Sequence, residues 1–191
     1  MKKYIKDNAY LITNQILNQF GAAIMGLILS AAVGQSANKT LIIATGIFTI
    51  GFFLVLQYTS LWDAGARDII RVEGNRLAYR PYAGFVMSIF ANIPNFIVAI
   101  LVIVGWIFGM GQEYGGMFDY AWADKMYTVG RFIGLFWESM YNNLIRLYSP
   151  HNPVAFLLVP IPGMIAAGLG YFAGMKNFTI IRIKKKENKK K

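Results

Sequence analysis

The chain has 191 residues, of which 56% are hydrophobic and only 15% charged, with a formal net charge of +10. Soluble domains carry about 25% charged and roughly 45–50% apolar residues, so this composition belongs with membrane proteins. The sequence has no cysteine and one histidine, which excludes disulfides, thiolate metal sites and paired-histidine motifs such as H-E-x-x-H.

A helix needs about 20 mainly apolar residues to cross roughly 30 Å of hydrocarbon. Four stretches qualify: Ala9–Val33, Thr40–Trp62, Gly84–Met110 and Val154–Met175. In lipid the backbone must satisfy its own hydrogen bonds, so each reads as a helix. The expected fold is an all-α integral membrane protein with four transmembrane helices and one amphipathic, interfacial helix in the outer loop. Residues 1–175 form a single polytopic domain and residues 176–191 a basic tail.

The first span follows Lys2, Lys3 and Lys6 and carries Asn14, Gln15, Asn18 and Gln19. Asn14 and Asn18 share one helical face, and Gln15 and Gln19 another. Ala22, Gly26, Ser30 and Gly34 form a small-residue ladder at spacing four, which lets a second helix approach closely, within the chain or from another subunit. The basic start and the small residues of Ser30–Gly34 would also suit a cleaved signal peptide, although the early amides are foreign to one.

The second span carries Gln57. The segment after it holds Arg67, Asp68, Arg71 and Glu73, and a short amphipathic helix ending near Gly74 is expected there. Arg67, Asp68 and Arg71 are candidates for contact with a cytosolic partner, set against a solvated loop that fixes topology. The third span places Ser88, Asn92 and Asn95 on one face, and Pro94 should kink it.

Residues 126–148 contain Arg131, Glu138, Asn142 and Arg146 in one helical sector. That amphipathic pattern predicts a helix lying in the interface; a re-entrant or tilted, packed segment is the alternative. Ten of the 29 aromatic residues fall between Gly111 and Pro153, as expected at headgroup level. In the fourth span, Pro160, Pro162 and Gly163 break the helix near its outer end.

Fifteen of the 19 basic residues lie before the first span, between the second and third, or after the fourth; four lie on the other side. Positive loops stay inside. This predicts a multi-pass cell-membrane protein with both termini cytoplasmic. The Lys-rich tail is expected to touch anionic lipid, and no nucleic-acid module is present.

Amides are costly in hydrocarbon and face protein or water. Asn14, Asn18, Gln57, Ser88, Asn92 and Asn95 are therefore candidates for a polar network or a ligand path on the cytoplasmic half. No charged residue lies deep in the four spans, which argues against a proton relay. The sequence carries no G-x-S-x-G elbow, P-loop or dinucleotide fingerprint, and no metal or cofactor is expected. The reading is a non-enzymatic subunit or accessory component of a membrane complex, such as a transport system, with a protein partner or a homo-oligomer. A small transporter or oligomeric pore using the inner-half amides is the alternative, and a lipid-modifying enzyme ranks behind both.

Overall fold

The computed structural model describes residues 2–34, 36, 38–109, 120–148 and 152–178. Those residues are all-helical, with no strand among them. The helices are α1 (Lys2–Asp7), α2 (Ala9–Val33), α3 (Lys39–Glu73), α4 (Ala83–Ala91), α5 (Ile93–Phe108), α6 (Ala121–Trp137), α7 (Asn142–Tyr148), α8 (Val154–Leu158) and α9 (Pro160–Met175), with a 3-10 turn at Ser139–Tyr141 between α6 and α7. Three stretches, Ala9–Val33, Lys39–Glu73 and Val154–Met175, are long and apolar enough to cross a membrane, and the bent pair α4–α5 makes a fourth if it counts as one span.

α3 is 35 residues long, about 52 Å at 1.5 Å per residue. Asn38 caps its start, its side chain accepting from the amides of Thr40 and Leu41 at 3.0 and 3.3 Å. It ends at Gly74, and Asn75 takes the left-handed conformation (φ 56°) that suits asparagine just past a helix end. The expected separate helix after the second span is instead a continuation of that span. Asp63 to Glu73 carry on the helical pattern with no proline or glycine pair to break it. The third span bends by 50° between α4 and α5. The break falls at Asn92, with Pro94 in the first turn of α5, where a missing amide is tolerated.

Glycines set the seams. A Cβ on Gly163 would meet the Phe53 ring at 2.8 Å, and one on Gly170 or Gly174 would collide with the Tyr58 or Trp62 carbonyl. α9 therefore lies parallel to α3 in close backbone contact. α5 and α6 pack antiparallel in regular register: Gly105 against Tyr127, Val102 against Gly130, Val98 against Gly134. Buried Leu61, Met87, Ala167 and Tyr171 form the core at the end that carries Arg67 and Arg71 (hereafter the basic end). Ala22, Phe53, Met140 and Tyr141 form a second core toward the far end.

Residues 126–148 do not make one amphipathic helix. α6 starts beside the far end of α5, where the Tyr120 amide donates to the Phe108 carbonyl at 2.8 Å. It runs down the bundle, breaks at Glu138, and returns as α7. At the bend, Ser139 Oγ donates to the Ala23 carbonyl, and a Cβ on Gly26 would sit 2.5 Å from the Met140 amide nitrogen. On the way back the Arg146 guanidinium donates to the Gly34 carbonyl at 3.0 Å. The polar sector that suggested an interfacial helix is divided by the break. Glu138 and Asn143 turn inward, while Arg146 stays exposed.

Candidate functional site

The candidate amides separate into two groups. In the first, Asn92 Oδ1 accepts from Gln19 Nε2 at 2.9 Å and from Asn95 Nδ2 at 2.7 Å. Asn92 Nδ2 donates to the Ser88 carbonyl at 2.8 Å. Gln19 Oε1 accepts from Asn95 at 3.4 Å and from the Trp137 indole at 3.3 Å. All four of Gln19, Ser88, Asn92 and Asn95 are buried. Gln57 joins nearby, donating to the Gln15 carbonyl at 3.2 Å. Ser88, Asn92 and Asn95 share one helical face at offsets of four and three, and Asn92 and Asn95 on that face meet Gln19 of α2.

The second group, Asn14 and Asn18, faces away from that network. Asn14 Nδ2 donates to Ser60 Oγ at 2.8 Å, and both asparagines line an open groove of about 510 Å³ between α2 and α3 together with Asp63 and Arg67. Arg71 pairs with Asp68 at 3.1 Å, and Asp68 also accepts from the Tyr171 hydroxyl at 2.9 Å. Of the three residues expected to contact a partner, Asp68 and Arg71 are thus paired within the chain, with Arg71 still exposed, and Arg67 is exposed.

The small-residue ladder packs unevenly. Ala22 and Gly26 are buried against the 138–141 bend, whereas Ser30 and Gly34 are only half-buried. A spacing of four residues drifts by about 40° per step on a helix with 100° per residue. The buried seam of α2 instead runs through Ile12, Gln15, Gln19, Ala22, Gly26 and Val33, a three-and-four rhythm that includes the glutamines and leaves Asn18 about 80° away from Gly26.

Glu138 is the residue that sequence reasoning did not single out. It caps the end of α6, is 1% exposed, and neither carboxylate oxygen has a partner among the described residues. The Tyr141 hydroxyl and Asn142 Oδ1, three and four residues on, are also buried and unpartnered there. Beside them, the Trp137 indole ties this turn to the amide network. The reason for the miss is local. Glu138 was counted as a polar residue of a solvent-facing sector, and only the break at 138–141 turns it into the bundle. An ionisable residue therefore does lie in the protein interior, outside the four spans from which the expectation of no deep charge was drawn.

Among the described residues no group of three or more His, Cys, Asp or Glu side chains could hold a metal ion. His151 and the tail from 179 onward lie outside the described residues, as do the outer acids Glu113 and Asp119 and the aromatics Tyr114 and Phe118. The chain matches no protein-family model, no curated protein and no solved structure.

Proposed function

We propose that this chain is a non-enzymatic, multi-pass component of a membrane complex that moves an ion or small solute, with Glu138 as its cation- or proton-binding residue. The observation that carries this reading is the buried, unpartnered Glu138 carboxylate. An isolated carboxylate out of water needs a proton or a counter-charge, and an ionisable residue kept at membrane depth is a functional group by default.

Depth supports the reading. The distribution of basic residues argues that the termini and the Arg67–Arg80 segment face the cytoplasm, which puts Gly34 at the outer boundary. Ala23 is then about 16 Å below it along α2 and Gln19 about 22 Å. The bend bonded to them would reach the middle of a hydrocarbon layer about 30 Å thick. Residues 121–148 enter and leave on the same side, as a re-entrant hairpin does. Broken helices at membrane depth are tolerated where protein buries them, and in transporters such breaks hold substrates and coupling ions.

The test is flux in proteoliposomes, with the chain purified together with any partner that accompanies it. Proton and monovalent-cation uptake should be abolished by Glu138→Gln and kept by Asn18→Leu. Uptake unchanged by Glu138→Gln would refute the assignment. A second reading, a docking subunit without a transport step, is favoured by the α3 extension, which projects Arg67 and Arg71 about 7 and 13 Å beyond Trp62 if that residue marks the membrane boundary. It predicts that a cytosolic protein co-purifies in fixed stoichiometry and is lost in the Arg67→Glu, Arg71→Glu double variant.

A further inference from the structure

The groove between α2 and α3 is not part of the Glu138 site, and what it could bind follows from its own chemistry. It has an axis of polarity. Leu56 and Asn18 lie at its deeper end, Asn14 and Ser60 in the middle, and Asp63 and Arg67 at the basic end. Its volume of about 510 Å³ falls in the range of small-molecule sites, roughly 300–1,000 Å³. Asp63 and Arg67 are one helical turn apart on α3, yet no ion pair joins them and neither has a hydrogen-bond partner among the described residues. By contrast, the next acid–base pair along, Asp68 and Arg71, is closed. The groove thus presents an anion site and a cation site side by side, with Asn14 and Asn18 as neutral donors behind them. Farther from the basic end, α2 and α3 expose the apolar side chains of Leu17, Phe52 and Val55, a surface that favours acyl chains over water. Tyr10 and Trp62 stand at its rim, the residue types that gather at headgroup level.

We infer that this groove binds a zwitterionic, amine-bearing phospholipid, with the phosphate on Arg67, the ammonium on Asp63 and the glycerol region against Asn14 and Asn18. Arginine is suited to phosphate oxygens through its forked donors, and a free carboxylate beside it discriminates against headgroups that carry only negative charge.

The experiment is lipid retention. The full chain is reconstituted in nanodiscs of equal phosphatidylethanolamine and phosphatidylglycerol, extracted in mild detergent, and weighed by native mass spectrometry. The wild type should keep phosphatidylethanolamine over phosphatidylglycerol by about fivefold, a preference of the size expected for one exposed charge pair. Asp63→Asn should erase the preference without emptying the groove. Arg67→Gln should lower retention of both lipids by about fivefold. Arg71→Gln, which changes an exposed arginine outside the groove, should leave the ratio as it was, and this also controls for folding. Equal retention of the two lipids by the wild type would overturn the proposal. So would an Arg71→Gln effect as large as that of Arg67→Gln, or full displacement of the lipid by soluble glycerophosphoethanolamine.

Discussion

Replacing Asn92 by leucine removes an acceptor shared by two donors from different helices. Asn92 Oδ1 accepts from Gln19 at 2.9 Å and from Asn95 at 2.7 Å, so the substitution removes both bonds. Hydrogen bonds between membrane helices are worth about 0.6 kcal/mol on average and up to about 1.7. Two of them give a cost of about 1–3 kcal/mol. Asn95 retains a weak 3.4 Å bond to Gln19 Oε1, which argues for the lower half of that range. The assay is reversible unfolding in bicelles, by denaturing-detergent titration or steric trapping, on Asn92→Leu, Gln19→Leu and the double variant. The cycle should return a coupling of about 0.5–1.5 kcal/mol. Asn18→Leu, in the open groove, should cost under about 0.5 kcal/mol, as surface changes do. If Asn92→Leu costs no more than Asn18→Leu, or the coupling vanishes, the buried network is not what holds α2 to the broken span.

Gly26→Val should destabilise by about 1–3 kcal/mol through overpacking, because the site is closed by the Met140 backbone; a thermal melt in detergent reads it. Gly21→Ala, where nothing lies within 4 Å of the added carbon, should instead stabilise by about 0.5–1 kcal/mol. Tyr171→Phe removes the hydroxyl bonded to Asp68 at 2.9 Å and should cost about 1 kcal/mol in the same melt. Glu138→Gln should raise the melting temperature while removing flux, since a buried carboxylate without a partner costs stability that function retains. A lower melting temperature would count against a functional reason for keeping the carboxylate.

The apolar stretches were legible because twenty residues of hydrocarbon-compatible sequence leave the backbone few choices. The polar positions of the third span were also legible, since Ser88, Asn92 and Asn95 share a face whether or not the helix bends. Two things were not. The phase of α2 depended on choosing between a spacing of four and the three-and-four rhythm, and that choice decides whether the asparagines or the glutamines point inward. The fate of residues 121–148 depended on a tertiary event. The glycines Gly105, Gly130 and Gly134 allow α6 to lie against α5, and Ser139 supplies a bond to the Ala23 carbonyl. No periodicity within 126–148 reports those contacts, so a broken, inserted hairpin and an amphipathic surface helix look alike in sequence.

The insertion of that hairpin is the premise of the functional reading, and the absence of native cysteine makes it directly testable. A Cβ on Gly46 lies 3.2 Å from the Asn143 Cβ, close to the 3.5–4.5 Å usual across a disulfide. The double variant Gly46→Cys, Asn143→Cys should oxidise within its membranes to an intramolecular disulfide, so that both thiols resist maleimide labelling after denaturation until a reductant is added. Two thiols that stay free and label fully under oxidising conditions would contradict the inserted hairpin.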